Sequence, residues 1–322
     1  MLSTIARAGW WAHSRKTQSD LNAVPMEPTY LSNRYGVLMR DSYAGYRILL
    51  VHAHPDDETI NNGATMALYC ARGAKVTLVT CTRGEEGEVL VPGLAHLASS
   101  HDDDLGTHRE LELKNAMFEL GVSDYRFLGN YRDSGMMGTP TNDRPDVFWQ
   151  SDLNEAALLL VKIIDEIKPH ILITYDEIGG YGHPDHIKAH SVAMRASEIS
   201  QWQIPKIYWN TTPKSVIAAG MAAMKEVGSD FFGSDDIDDI PFAKDDSFAT
   251  TLIDGNEFVD AKMAAMRAHK TQIALDGPFF ALSDNLGLAI WGQEYYTLVR
   301  GEKSPPFDGN SREIDLTSGI PL

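Results

Sequence analysis

Polar positions nearly vanish over Tyr46 to Ala53: Tyr-Arg-Ile-Leu-Leu-Val-His-Ala has no apolar–polar alternation, the pattern of a strand buried on both faces. Helical spacing follows over Thr59–Gly73, and Ala74–Thr80 is a second strand. The alternation continues with a helix at Thr107–Leu120, a short strand at Tyr125–Leu128 and a helix at Leu153–Ile167, ended by Pro169. His170–Tyr175 reads as a fourth strand, Pro184 opens a helix that runs to Ile199, and Lys206–Trp209 is a further strand. Repeated strand–helix units predict an α/β fold: a Rossmann-like, mostly parallel sheet with helices on both faces and an active site at the carboxyl ends of the strands.

The flanks break this rhythm. Residues 1–44 sustain neither period and read as an N-terminal arm without fixed structure, leaving 45–301 as the catalytic domain. Within it, Asp230–Asp246 is rich in Asp and Gly and reads as a solvated acidic insertion, with a lid as the alternative. A strand ending at Asp254, a helix over Asn256–His269 and a closing segment through Tyr295–Val299 follow, and 302–322 reads as a polar, mobile tail.

With 322 residues, 43% of them hydrophobic, the chain is long enough to bury its own core. A formal charge of -17 repels phosphate backbones and anionic lipid, so neither nucleic acid nor a membrane surface is expected as a partner. No run reaches the ~20 apolar residues that span a bilayer, and the first residues lack the apolar core of a secretory signal. Two cysteines, Cys70 and Cys81, build neither a disulfide framework nor a cysteine-rich zinc site, which points to the cytoplasm. Oligomeric state is not legible in these patterns.

The informative question is what each strand delivers at its carboxyl end. Strand one ends in His52-Ala-His54-Pro-Asp56-Asp57-Glu58, strand two leads to Arg83-Gly-Glu85-Glu86-Gly-Glu88, strand three to Arg132-Asp133-Ser-Gly, and strand four to Gly179-Gly-Tyr181-Gly-His183-Pro-Asp185-His186. Two histidines and a carboxylate from separate loops suit a catalytic divalent ion with one position left for water, and His54, Asp57 and His186 fit that set. As sequence neighbours Asp56 and Asp57 point in different directions, so one binds metal while the other works as acid or base. His52, inside the strand, reads as a packing or supporting residue. His190, one turn after His186, keeps an i, i+4 spacing that some zinc sites use, but it lies farther from the strand end. His101, His108, His170 and His269 carry no partner motif, and an acidic surface loop remains the plain reading of Glu85–Glu88. A hydride-transfer reading is weak, because His54–Glu58 stands where a dinucleotide site needs Gly-x-Gly-x-x-Gly. A two-histidine, one-carboxylate iron oxygenase expects an all-β barrel, which the strand–helix alternation contradicts.

Ala-His-Pro-Asp-Asp-Glu at 53–58 and Gly-His-Pro-Asp-His at 182–186 together resemble the signature of the LmbE-like, PIG-L-type N-acetylglucosaminyl deacetylases. Val-Thr-Cys-Thr-x-Gly-Glu-Glu-Gly-Glu-Val, Arg-Asp-Ser-Gly-Met and Ala-Leu-Ser-x-Asn-Leu extend the resemblance, from Tyr46 to about Gly301, toward the branch that deacetylates N-acetylglucosaminyl-inositol in mycothiol biosynthesis. The resemblance implies a zinc hydrolase, with Fe2+ as the alternative ion, acting on a small sugar. Carried onto this sequence, it implies His54, Asp57 and His186 as metal ligands and Asp56 as general base. Tyr181 and His183 would act on the amide oxygen, with Asp185 orienting His183, while Glu88, Arg109 and Asp133 contact sugar and inositol hydroxyls. The rival within the family is mycothiol S-conjugate amidase, in whose branch a lysine takes the helix position held here by Asn61. A silent metal- or sugar-binding module is the rival outside it; such a module has no need of Asp56 and His183.

Overall fold

The computed structural model describes residues 31, 34, 42–226, 236–274 and 292–322. The rest of the expected 1–44 arm, positions 230–235 of the acidic stretch and the Ala281–Leu286 motif lie outside the described residues.

Strand β1 (Arg47–His52) sits at the centre of the sheet and shows why its sequence does not alternate. Ile48 and Leu50 point into one apolar cluster and Leu49 and Val51 into the other, so both faces are buried. Around it run β2 (Lys75–Thr80), β3 (Asp124–Phe127), β4 (Ile171–Thr174), β5 (Lys206–Pro213), β7 (Thr251–Asp254) and β8 (Gln293–Arg300), in the order β3-β2-β1-β4-β5-β8-β7. The first five are parallel and β8 runs antiparallel to both β5 and β7, while β6 (Ala243–Lys244) pairs with the end of β5. Three helices cover one face: α1 (Asp57–Ala71), α2 (Leu105–Leu120) and α6 (Val259–Ala268). The other face carries α3 (Leu153–Ile167) and α4 (Pro184–Ile199). The order reverses between β1 and β4, the crevice where an open parallel sheet binds ligand. No helix among the described residues is long and apolar enough to cross a membrane.

Three outer segments depart from expectation. The C-terminal residues are tied down, because the fully buried Glu313 accepts from Lys206 (2.5 Å), Tyr208 (3.0 Å) and Thr251 (3.1 Å), and Leu316 is buried beside it. Polarity there serves a buried network, so 302–322 is no mobile tail. The described end of the acidic stretch is likewise docked: Ile240 and Ala243 bury against Ile217 and Met221 of α5 (Lys214–Glu226), a helix the periodicity did not predict. Within the expected arm, Leu31 is buried in the main core, and Tyr43 stacks on Tyr69 with ring centroids 4.6 Å apart.

Candidate active site

The loop between β1 and α1 turns on Asp56, whose φ of 107° is rare for a residue with a side chain. The turn is held by Asp56 N–H donating to the Glu58 carboxylate (3.0 Å), and by the Asp56 carbonyl accepting from Thr59 and Ile60, each at 3.0 Å. It also separates the paired carboxylates. Asp57 Oδ2 folds back to accept from the His54 N–H (2.9 Å) and the Tyr175 hydroxyl (2.7 Å), whereas Asp56 faces the Arg109 guanidinium at 3.3 Å.

His54 Nδ1, Asp57 Oδ2 and His186 Nε2 form a triangle with edges of 3.3, 3.4 and 3.4 Å. Ligands bound tetrahedrally at about 2.0–2.1 Å stand about 3.3–3.4 Å apart, so the three donors match a small divalent ion. The outer nitrogens fix the tautomers in the same sense. His186 Nδ1 lies 3.2 Å from the Gly179 carbonyl and donates to it; His54 Nε2 lies 3.3 Å from Asp185 and 3.5 Å from Asp133. With acceptors on their outer sides, the rings can offer their inner nitrogens to a cation in exchange for any proton held there, as metal-bound imidazoles do. Burial alone would lower the His54 pKa, yet Asp133, Asp185 and Asp57 hold it well above its ordinary value. Asp57 is buried too, but His186 and His54 hold it well below the usual carboxylate range. The buried carboxylates around the triangle thus favour positive charge within it.

His183 caps α4, its Nδ1 accepting from the Asp185 N–H (3.1 Å), which leaves Nε2 as the N–H that faces the site. Its ring centre lies 4.6 Å from that of His54. Burial pushes its pKa down to about 3, so it stands as a neutral donor. The Asp185 carboxylate does not orient this ring as expected; it accepts from Ser134 N–H (2.9 Å) and the Ser134 hydroxyl, and braces His54. Tyr181 rides on the single turn Gly179–Gly182 with 46% of its surface exposed, its ring edge toward His186 at 5.0 Å. Desolvation raises its hydroxyl pKa, so it remains a proton donor. Asp56 is pushed up to about 6 by burial, against the pull of Arg109.

The three expected sugar contacts differ in placement. Glu88 is exposed on the loop after β2. Arg109 is 3% exposed and donates to the carbonyls of Gly84 (2.7 Å) and Pro55, and its Nε has no partner among the described residues. Asp133 is buried behind His54, accepting from Gly135 (2.8 Å) and Glu86 (3.2 Å), so it supports the imidazole as much as it faces any sugar. His190 Nδ1 donates to the Tyr175 carbonyl (3.0 Å) and its ring packs on Trp209, outside the donor triangle. His52 bonds Asn62 at 2.7 Å, a supporting role.

Sequence reasoning missed Tyr175, which links Ala53 N–H (2.8 Å) to Asp57 and stacks on His186 at 4.3 Å. Its signal was its position as the residue that follows β4 at the carboxyl edge. It also missed the fully buried pair of Glu58 and His269 (3.1 Å), which no spacing rule connects.

A parallel sheet whose carboxyl edge gathers a His–His–Asp metal-binding site, with a spare carboxylate and a neutral imidazole beside it, defines a metal-centred hydrolase. The chain belongs to the PIG-L, LmbE-like family of de-N-acetylases. Residues 49–197 match the family model described as PIG-L, GlcNAc-PI de-N-acetylase. A protein of Geodermatophilus obscurus named 1D-myo-inositol 2-acetamido-2-deoxy-alpha-D-glucopyranoside deacetylase is 54% identical, covering 85% of this chain and 98% of its own. One of the same name from Streptomyces avermitilis is also 54% identical, over 85% and 97%. Among solved structures, N,N'-diacetylchitobiose deacetylase of Pyrococcus horikoshii superposes with a TM-score of 0.51 at 18% identity, covering 90% of this chain and 96% of its own. GalB, the 4-carboxy-2-hydroxymuconate hydratase of Pseudomonas putida, reaches 0.54 at 18% over 82% and 100%, so the fold alone does not select the reaction.

Proposed function

We propose that this protein hydrolyses the acetamide of an N-acetylglucosaminyl-inositol, releasing acetate and glucosaminyl-inositol, with a divalent ion held by His54, Asp57 and His186. The observation that carries this reading is the inward-facing triangle of donors with Asp56 beside it. The substrate follows from the name shared by relatives at 54% identity. Zinc or ferrous iron bound there supplies the charge that polarises the acetyl carbonyl and makes a water acidic.

The chain's own groups do the rest. Asp56 takes a proton from the attacking water as its oxygen joins the carbonyl carbon, and returns it to the nitrogen as the C–N bond breaks. His183 Nε2–H and the Tyr181 hydroxyl donate to the oxygen on which negative charge develops. Arg109 holds Asp56 in place, and Asp185, Asp133 and Tyr175 keep the ligand atoms aimed inward. Glu88, exposed on the loop after β2, is left to receive sugar and inositol hydroxyls. The reaction is assigned to the cytoplasm, on the two free thiols Cys70 and Cys81. Protein loaded with zinc or ferrous iron is offered N-acetylglucosaminyl-inositol and a mycothiol thioether side by side, and free amine is measured. Faster release from the acetylated sugar supports the proposal; preference for the thioether, or no release from either, overturns it.

A further inference from the structure

The acidic stretch sends one cation toward the site. β6 pairs Ala243 and Lys244 with Thr212 and Pro213 at the end of β5, and Ala243 packs under α5, so the backbone at Lys244 is anchored from two sides. Its ammonium lies 2.8 Å from Oδ2 of Asp176, a 6%-exposed carboxylate just after β4. The other oxygen of Asp176 accepts from Gly180 N–H at 2.7 Å, and its carbonyl accepts from Gly179 N–H at 3.0 Å. This turn has little slack: Gly179 has a φ of +65°, and a Cβ there would meet His186 Cβ at 2.6 Å. The Gly179 carbonyl lies 3.2 Å from His186 Nδ1. A continuous line of polar contacts thus runs from Lys244 through Asp176 and the glycine turn to His186, with Tyr181 carried on the same turn.

We infer that Lys244 is a positioning residue: by neutralising Asp176 it fixes the Gly179–Gly182 turn, and through it the aim of His186 and the place of Tyr181. The inference rests on the reading of His186 as a metal ligand. Without Lys244, a nearly buried carboxylate is left unpaired and turns toward water, releasing the Gly180 N–H.

The test compares Lys244→Met, which keeps the length and loses the charge, with Lys244→Arg and Asp176→Asn. Hydrogen exchange is followed over residues 176–186, zinc retention by competition with a chromophoric chelator, and kcat and KM on the acetylated sugar. Lys244→Met should speed exchange at Gly179–Gly182 and weaken zinc binding about tenfold, the lower end for outer partners of a metal-bound histidine. It should lower kcat more than it raises KM, and Lys244→Arg should restore all three. The double variant Lys244→Met with Asp176→Asn should be no worse than the poorer single one. Wild-type exchange and zinc retention in Lys244→Met would overturn the inference, as would a loss that Arg does not rescue and that tracks a general fall in Tm. Exchange and zinc are read without substrate, so a protein that fails to deacetylate leaves this inference standing while the proposed function falls.

Discussion

Two adjacent carboxylates with opposite surroundings give the sharpest test at the scale of single residues. Asp57 is enclosed by His54, His186 and Tyr175, while Asp56, thrown outward by its φ of 107°, faces Arg109. Asp56→Asn keeps the shape but accepts no proton, so metal content should stay stoichiometric and KM near native while kcat falls roughly 10²- to 10⁴-fold. On the proposed assignment Asp57→Asn removes an anionic ligand, and excess metal should restore part of its rate. Metal analysis after dialysis decides: if Asp56→Asn is the variant that loses its ion, the two roles are exchanged. By the same assay His186→Ala should come through dialysis empty and His190→Ala loaded, since His190 is spent on Tyr175 and Trp209. The motifs made His54, Asp56, Asp57, His183 and His186 legible because they sit beside strand ends. Tyr175 and His269 were not, because the residues they bond, Asp57 and Glu58, lie 118 and 211 positions away and only the folded sheet brings them close.

Among elements, those with a strong period were legible nearly to their bounds: Leu153–Ile167 begins after Asp152, which accepts from Asn154 and Glu155, and ends before Pro169. Helix α5 was not. Ala218, Ala219, Gly220, Ala222 and Ala223 blur its apolar stripe, and only packing against Ile240 and Ala243 reveals which face is inner. Antiparallel β8 also escapes a reading tuned to strand–helix units, since its burial alternates only over its first residues. The glycine turn yields a prediction of its own. Gly179→Ala places a methyl against His186, whereas Gly182→Ala, with a φ of +94°, meets nothing within 4 Å. Both carry backbone strain of about 1–2 kcal/mol, but zinc affinity should drop in Gly179→Ala alone. Equal zinc affinity in the two would remove the turn from the site's support.

For the molecule as a whole, the described parts of the flanking segments pack into the fold. Glu313→Ala strands Lys206 in the interior, and breaking such a buried pair should cost about 3–5 kcal/mol, read as a lower urea midpoint with unchanged zinc stoichiometry. An unshifted midpoint would show that the pair is dispensable. Removing residues 1–38 takes away Leu31, which is buried in the main core against Gly121, so stability should fall by about 1.5–3 kcal/mol while kcat is kept. A shorter deletion that spares Leu31 should show no such loss. That network around Glu313 also orders events in time. The strands that frame the site, β1 to β5, need only residues 47–213, most of them joined by local helical crossovers. Strand β7 and the start of β5 are pinned together by a carboxylate far along the chain. During synthesis at about 5–20 residues per second, the parallel half emerges several seconds before Glu313 reaches Lys206. In that interval one edge of the sheet stands open, and its far wall is completed only when the last segment of chain arrives.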